Sequence, residues 1–216
     1  MPGSMIFSNS KESKMAQLPD NACVLKDARI AYPNLVEPAP DLNGIDKYSC
    51  VLLIPKDRDL DKIKAALKEA IETGKKKKWG GEEPADLKIA VQDGDSYAAA
   101  APEKPRDHYK GHYYINAKQD PEWGKPTVVD IHGVKSESIG AILSGDYVDA
   151  VIEFYPWRTA AGDGVSATPK LVHKIRNGEP IGGGVSPSAA MEALGLDPDT
   201  VEQGSSVVNE NLDDLF

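Results

Sequence analysis

The stretch DYVDAVIEFYPWR, residues 146–158, decides the fold. Successive side chains of a β-strand point to opposite faces. Val148, Ala150, Ile152 and Phe154 therefore form one unbroken apolar face. Tyr147, Asp149, Val151, Glu153, Tyr155 and Trp157 point the other way, with Arg158 just beyond. One apolar face and one mixed face mark an antiparallel strand lying on a core.

Working outward, residues 166–175 follow a turn at 161–164 and pair back as a second strand. Upstream, GHYYINAK (111–118) alternates as well, with Tyr113, Ile115 and Ala117 toward the core. Its other face carries His112, Tyr114, Asn116 and Lys118. Residues 22–32 read as a strand, and Pro33 to Gly44 as a loop. KYSCVLLIPK (47–56) is apolar on both faces from Val51 to Ile54, which predicts a strand covered on both sides. Leu60, Ile63, Leu67 and Ile71 recur at helical spacing after a capping Asp57 or Asp59, and Gly74 is expected to end that helix. The lysine run KKKKWGGEEP then reads as a loop, residues 87–91 and 127–131 as short strands, Asp93-Gly94 as a turn and 98–108 as a long mobile connection. The class is mainly β with one principal α-helix: a β-barrel, an OB-fold with elaborations. A sandwich with an appended helix stays open.

The organisation follows. Residues 1–21 are expected to be a disordered lead, its Pro-Gly-Ser opening a cloning scar and Met15 a natural start. Residues 22–184 form the barrel domain, 185–203 a short helix (SPSAAMEAL) and linker, and 204–216 a flexible acidic tail. There is no secretion signal, no apolar run of membrane-spanning length and no internal repeat. Cys23 and Cys50 have no metal-ligand spacing and read as buried free thiols.

The formal charge of −9 argues at first against a nucleic-acid partner. Its distribution weakens that objection. Beyond Arg176 the chain has eight acids and no base, leaving 25 basic against 26 acidic side chains in the rest. A near-neutral body can carry a basic groove if its charges are sorted by face. Around GHYYINAK, Lys104, Arg106, His108, Lys110, His112 and Lys118 interleave with Tyr109, Tyr113 and Tyr114. Flat rings stack on unpaired bases whatever the base, and cations neutralise phosphates. The expected DNA surface is Arg106, Lys110, His112, Tyr114, Asn116, Lys118, Tyr147, Tyr155, Trp157 and Arg158, with Lys76 and Lys77 as a second phosphate-contacting loop. Outward aromatics also stabilise sheets by cross-strand pairing, and lysines behind a helix complement its dipole. Trp123, in the turn DPEWGKP, suits either stacking or capping the barrel edge.

KYSCVLLIPK and the following helix, then VQDGD, YKGHYYINAK, SGDYV and FYPW, occur in an order that resembles a family of tailed-phage single-stranded DNA-binding proteins. The resemblance spans about residues 22–184. It implies an OB-fold acting on DNA single strands in phage replication or recombination, in the cytoplasm of the infected bacterium, without catalysis or cofactor. The ending NENLDDLF is similar to the acidic, phenylalanine-terminated tails of bacterial and phage single-strand binders, here with Leu215 where proline is common. Asp213, Asp214, Leu215 and Phe216 are thus the expected partner-binding tail, directed at replication or recombination proteins. As a tethered anion, the tail would also contend for a basic groove.

Two other classes compete. A metal-dependent phage nuclease would use Asp93 and Asp95, but no acid-then-lysine arrangement accompanies them. A structural virion or interaction protein would use the barrel as a scaffold. His108 and His112 lack the glutamate of a zinc-protease motif, and GEPIGGGVS lacks the lysine of a phosphate-binding loop.

Overall fold

In the computed structural model, the structure describes residues 17–104, 106–182 and 193–195. The strands are β1 (Ala22–Pro40), β2 (Asp46–Pro55), β3 (Lys88–Ile89), β4 (Val91–Asp93), β5 (His112–Gln119), β6 (Thr127–Val129), β7 (Tyr147–Thr159) and β8 (Gly162–Arg176). Five of them close on themselves in the order β1-β2-β5-β8-β7 and back to β1. Every junction is antiparallel except β5–β8, which meet in parallel at Ala117 and Ala167. A five-stranded barrel of this connectivity is an OB-fold.

The apolar face of β7 behaves as its alternation predicts: Val148, Ala150, Ile152 and Phe154 are all buried in the barrel core. They meet Cys50, Leu52 and Ile54 of β2, Ile115 and Ala117 of β5, and Val165, Ala167 and Val172 of β8. Both cysteines are free and buried, and burial pushes their thiols up, Cys23 to about 11 and Cys50 to about 12.

Helix α1 (Asp61–Lys77) lies mainly against β7 and β1, burying Ile63, Ala66 and Ala70. Asp59 accepts a hydrogen bond from the Asp61 N–H at 2.8 Å and supports the first turn. Gly74 does not end this helix. It sits inside it because the Trp79 indole folds back over the spot where a Cβ would stand. Lys75, Lys76 and Lys77 accordingly occupy the last helical turn, where the dipole favours cations, rather than a loop.

Several other expectations are also corrected. β1 does not stop at Tyr32; it runs to Pro40 and keeps pairing with β2 through two register shifts. The β7–β8 turn is the two residues Ala160 and Ala161, because Thr159 pairs with Gly162. Asp93-Gly94 is the start of a helix, α2 (Gly94–Ala99), with the Asp93 carboxylate accepting from the Ser96 N–H. The described residues of 98–108 begin in α2 and end in a 3-10 turn at Asp107–Tyr109, and the flanking rings of Tyr97 and Tyr109 pack over the outside of the barrel. That covering builds a second apolar cluster from Ala31, Leu53, Tyr109, Tyr114 and Ile181, with Val51 and Tyr97 at its margin. It explains why β2 is apolar on both faces. The expected helix at 186–194 lies outside the described residues, but for its last two, and so does the tail.

Candidate nucleic-acid interface

The open part of the barrel's outer surface runs across the strands from β7 to β1. At its β7 end stands Tyr155, paired across the ladder with Ser166 of β8. Next comes β5 with Asn116 and Lys118, which oppose Val51 and Ser49 of β2. Ser49 in turn opposes Asn34 of β1 and accepts a hydrogen bond from the Asn34 amide at 3.2 Å. The floor is therefore short and polar (Ser166, Asn116, Ser49, Asn34), low enough for a chain to lie across it. Outward positions on OB strands two and three, here β2 and β5, are where this fold holds oligonucleotides.

Rings and cations flank the floor. Trp123 is 57% exposed on a 3-10 turn, Pro121–Trp123, and meets Tyr155 edge to face, centroids 5.7 Å apart. Gln119, buried at the end of β5, holds that turn by donating to the carbonyls of Gly124 (2.6 Å) and Trp123 (3.4 Å). Lys47, Asn116, Lys118, Gln119, Asp120, Tyr155 and Ser166 line one continuous cleft. Lys47 pairs with Asp120, and Lys118 Nζ stands 3.9 Å from Asp41. Asp41 is held below the usual carboxylate range, first by the N–H groups of Asn43 and Ile45 in the β1–β2 turn. Both lysines border the open cleft, so a phosphate can compete with either carboxylate for its lysine.

At the β1 end the ladder bulges between Ala31 and Asn34. Tyr32 sits in that bulge at φ +52°, immediately before Pro33, and is 45% exposed. A non-glycine residue in this region costs about 1–3 kcal/mol of strain. The Tyr32 N–H donates to Ser144 Oγ at 3.2 Å, and its hydroxyl lies 3.1 Å from His108 Nε2. Burial, then the nearby Arg29 guanidinium, push the His108 imidazole below its ordinary value.

The residues singled out from sequence fall into four places. Asn116, Lys118 and Tyr155 share the cleft. Trp157 and Arg158 lie beyond it toward the β7–β8 turn; the Trp157 ring covers Gly164, and Arg158 pairs with Asp163 at 2.7 Å. The Trp157 carbonyl accepts from Trp79 Nε1 at 3.2 Å, which ties this end of β7 to the chain just beyond Lys76 and Lys77. Arg106, Lys110, His112 and Tyr114 belong to the covering segment or lie beneath it. Arg106 stacks on the Tyr97 ring at 3.8 Å, Lys110 pairs with Asp107 and His112 accompanies them at the start of β5. Tyr147 stands at the far end of β7 with Arg176 stacked 3.2 Å above its ring.

The expected exposure of Tyr114 is corrected. Its face was read rightly, but the ring is only 7% exposed, packed against Tyr97 and Tyr109 at centroid distances of 5.1 and 5.0 Å, with its hydroxyl bonded to Gln92. Tyr113, read as core, is half-buried beside Lys56. Sequence reasoning passed over Tyr32, Asn34, Lys47 and Ser49. A lysine opening an alternating strand was a signal for Lys47; the bulge that turns Tyr32 outward had none. Asp93 and Asp95, the residues of the nuclease reading, are both engaged by Lys56, and no cluster of three metal-ligating side chains exists among the described residues.

An OB barrel with a polar cross-strand floor, flanked by lysines and open rings, defines the oligonucleotide-binding class. The profile of the Enterobacter phage Enc34 ssDNA-binding protein family matches residues 21–201, and the chain belongs to that family. The ssDNA-binding protein of bacteriophage Enc34, solved in complex with ssDNA, is 28% identical and superposes with a TM-score of 0.61 over 77% of this chain and 97% of its own. Its C-terminally truncated form gives 28% identity and a TM-score of 0.60 over 78% and 95%. The single-stranded DNA binding protein gp2.5 of bacteriophage T7 gives 20% identity and a TM-score of 0.48 over 86% and 97%. No curated protein sequence matches the chain. No helix among the described residues is long and apolar enough to cross a membrane.

Proposed function

We propose that this protein binds and protects single-stranded DNA during phage replication and recombination inside the infected bacterium, without catalysing a reaction. The observation that carries the reading is the cleft between β5 and β8. There Tyr155 and Trp123 offer ring surface to a base, while Lys47 and Lys118 stand on its rim for phosphates. Stacking contributes roughly 1–3 kcal/mol per base and tolerates any sequence. Trp157, Arg158, Lys76 and Lys77 extend the path past the β7–β8 turn. Arg106, Lys110 and His112 border it on the covering segment, Tyr114 serves as the packed support of that segment, and Tyr147 with Arg176 forms a separate outer contact. The acidic tail, ending Asp213, Asp214, Leu215 and Phe216, contends for the same cleft when DNA is absent. Freed by DNA, it offers a terminal aromatic to replication or recombination proteins.

Titration with oligo-dT tests the reading. Tryptophan emission is expected to be quenched, with log affinity falling against log salt at about 0.7 per neutralised phosphate. Absence of quenching and of any salt-dependent binding overturns it.

A further inference from the structure

We propose that Tyr32 and His108, with Arg29 beside them, form a second base-stacking step at the β1 edge of the barrel, separate from the Tyr155–Trp123 end, that holds one nucleotide of the bound strand. The inference rests on the single-strand reading above and adds where the strand goes next.

The bulge in β1 is the first ground. Between Ala31 and Asn34 the chain spends one residue more than its partner β2 does between Val51 and Ser49. A bulge re-aims a side chain, and bulges gather at functional sites. Here the residue re-aimed is an aromatic one, held in the left-handed region at φ +52°, which glycine or asparagine enters far more readily. The surrounding structure sustains that conformation through the Ser144 hydroxyl, which accepts the Tyr32 N–H.

Rigidity is the second ground. Tyr32 and His108 meet edge to face with centroids 5.8 Å apart and their polar atoms in hydrogen-bond contact. His108 lies 4.4 Å from Tyr109, whose ring is locked with Tyr97 and Tyr114 in the buried cluster. The pair is thus built on packed rings, so it needs no ordering when a base arrives. Preorganisation of this kind lowers the cost of binding.

Position and charge complete the argument. From Tyr155 to Tyr32 the polar floor crosses β8, β5 and β2 to β1, four strand spacings of about 4.8 Å, or roughly 19 Å. A strand stacked at Tyr155 that follows the floor arrives at Tyr32. Arg29 waits there. Its guanidinium donates to the carbonyls of Gly145 (3.3 Å) and Glu179 (2.7 Å) and pairs with no carboxylate among the described residues. Its charge is therefore free to meet a phosphate.

Oligonucleotide length separates this step from the first one. Tyr32→Ala is expected to weaken dT15 binding about 5- to 150-fold, the range of one stacking contact, and to change dT3 binding less than about twofold, since a trinucleotide stacked at Tyr155 is too short to cross four strand spacings. Tyr32→Phe keeps the ring and is expected to restore most of the dT15 affinity. Tyr155→Ala is expected to weaken both lengths. If Tyr32→Ala fails to fold, His108→Ala reports on the same step from the covering segment, with the same length dependence. Wild-type dT15 affinity in these variants, with Tyr155→Ala impaired, overturns the second step and leaves the proposed function standing. Failure of the wild-type protein to bind either oligonucleotide overturns the proposed function, and the second step with it.

Discussion

Lys118→Ala probes the cleft most directly, because the expected effect follows from its surroundings. Lys118 Nζ stands 3.9 Å from Asp41 Oδ2 with the lysine side chain 39% exposed. The lysine stands outside the core, so the variant is expected to keep its fold. Its role in binding is different. Each phosphate neutralised on a single strand adds about 0.7 to the slope of log affinity against log salt. Between about 50 and 200 mM salt, a fourfold change, one lysine accounts for roughly a 2.6-fold loss of affinity. Removing Lys118 is expected to flatten the slope by about 0.7, and removing Lys47 as well by about 1.4. Asp120→Asn acts in the opposite sense. It frees Lys47 from its carboxylate, so binding tightens at low salt. The assay is tryptophan quenching by dT15 at three salt concentrations. An unchanged slope in Lys47→Ala/Lys118→Ala, beside a wild-type protein that binds, refutes the placement of phosphates along this cleft.

Three further expectations concern the tail, the helix and acid. Deleting residues 204–216 is expected to tighten oligo-dT binding at low salt and to matter less at high salt, because a tethered anion no longer contends for the lysines at near-millimolar effective concentration; equal affinity at low salt dismisses the competition. Gly74→Ala sets about 1–3 kcal/mol of overpacking against the Trp79 indole against about 1 kcal/mol of gained helix propensity, so stability is expected to fall by up to about 2 kcal/mol. A higher urea midpoint would refute the packing argument. Hydrogen bonding to Lys56, then to the Ser96 N–H, holds the Asp93 carboxyl at about 2. With an unfolded value near 3.9, its stabilisation is whole above about pH 4 and is lost as pH falls toward 2. Asp93→Asn, which keeps the cap on α2, is expected to make acid unfolding shallower over that window.

How far the sequence could be read depended on whether the answer lay inside the segment itself. The alternation of β7 settles its own core face, because Val148, Ala150, Ile152 and Phe154 need only a barrel interior to bury them. The same rule applied to β5 put Tyr114 on the outer side correctly and its exposure wrongly. Period two tells which face a side chain takes; it does not tell what lies over that face. The covering comes from α2 and the 3-10 turn after it, where Tyr97 and Tyr109 sit among turns and charges with no period to announce a packed role. Gly74 failed for a similar reason. Glycine after a helical pattern commonly marks its end, but here the decisive partner is Trp79, which bends back from beyond the helix.

These two failures have a bearing on the site. The segment that buried Tyr114 took one ring out of the expected stacking surface, and in doing so it fixed Tyr109 and placed His108 against Tyr32. An outward ring on a strand is available to a base only where no other element needs it for a core. On this barrel that condition holds at the two ends of the polar floor, Tyr155 with Trp123 and Tyr32 with His108, and fails between the start of β5 and the covering segment. On the proposed reading a single strand therefore runs across the strands, from β7 to β1, and not along β5, where the sequence alone had placed four of its twelve candidates.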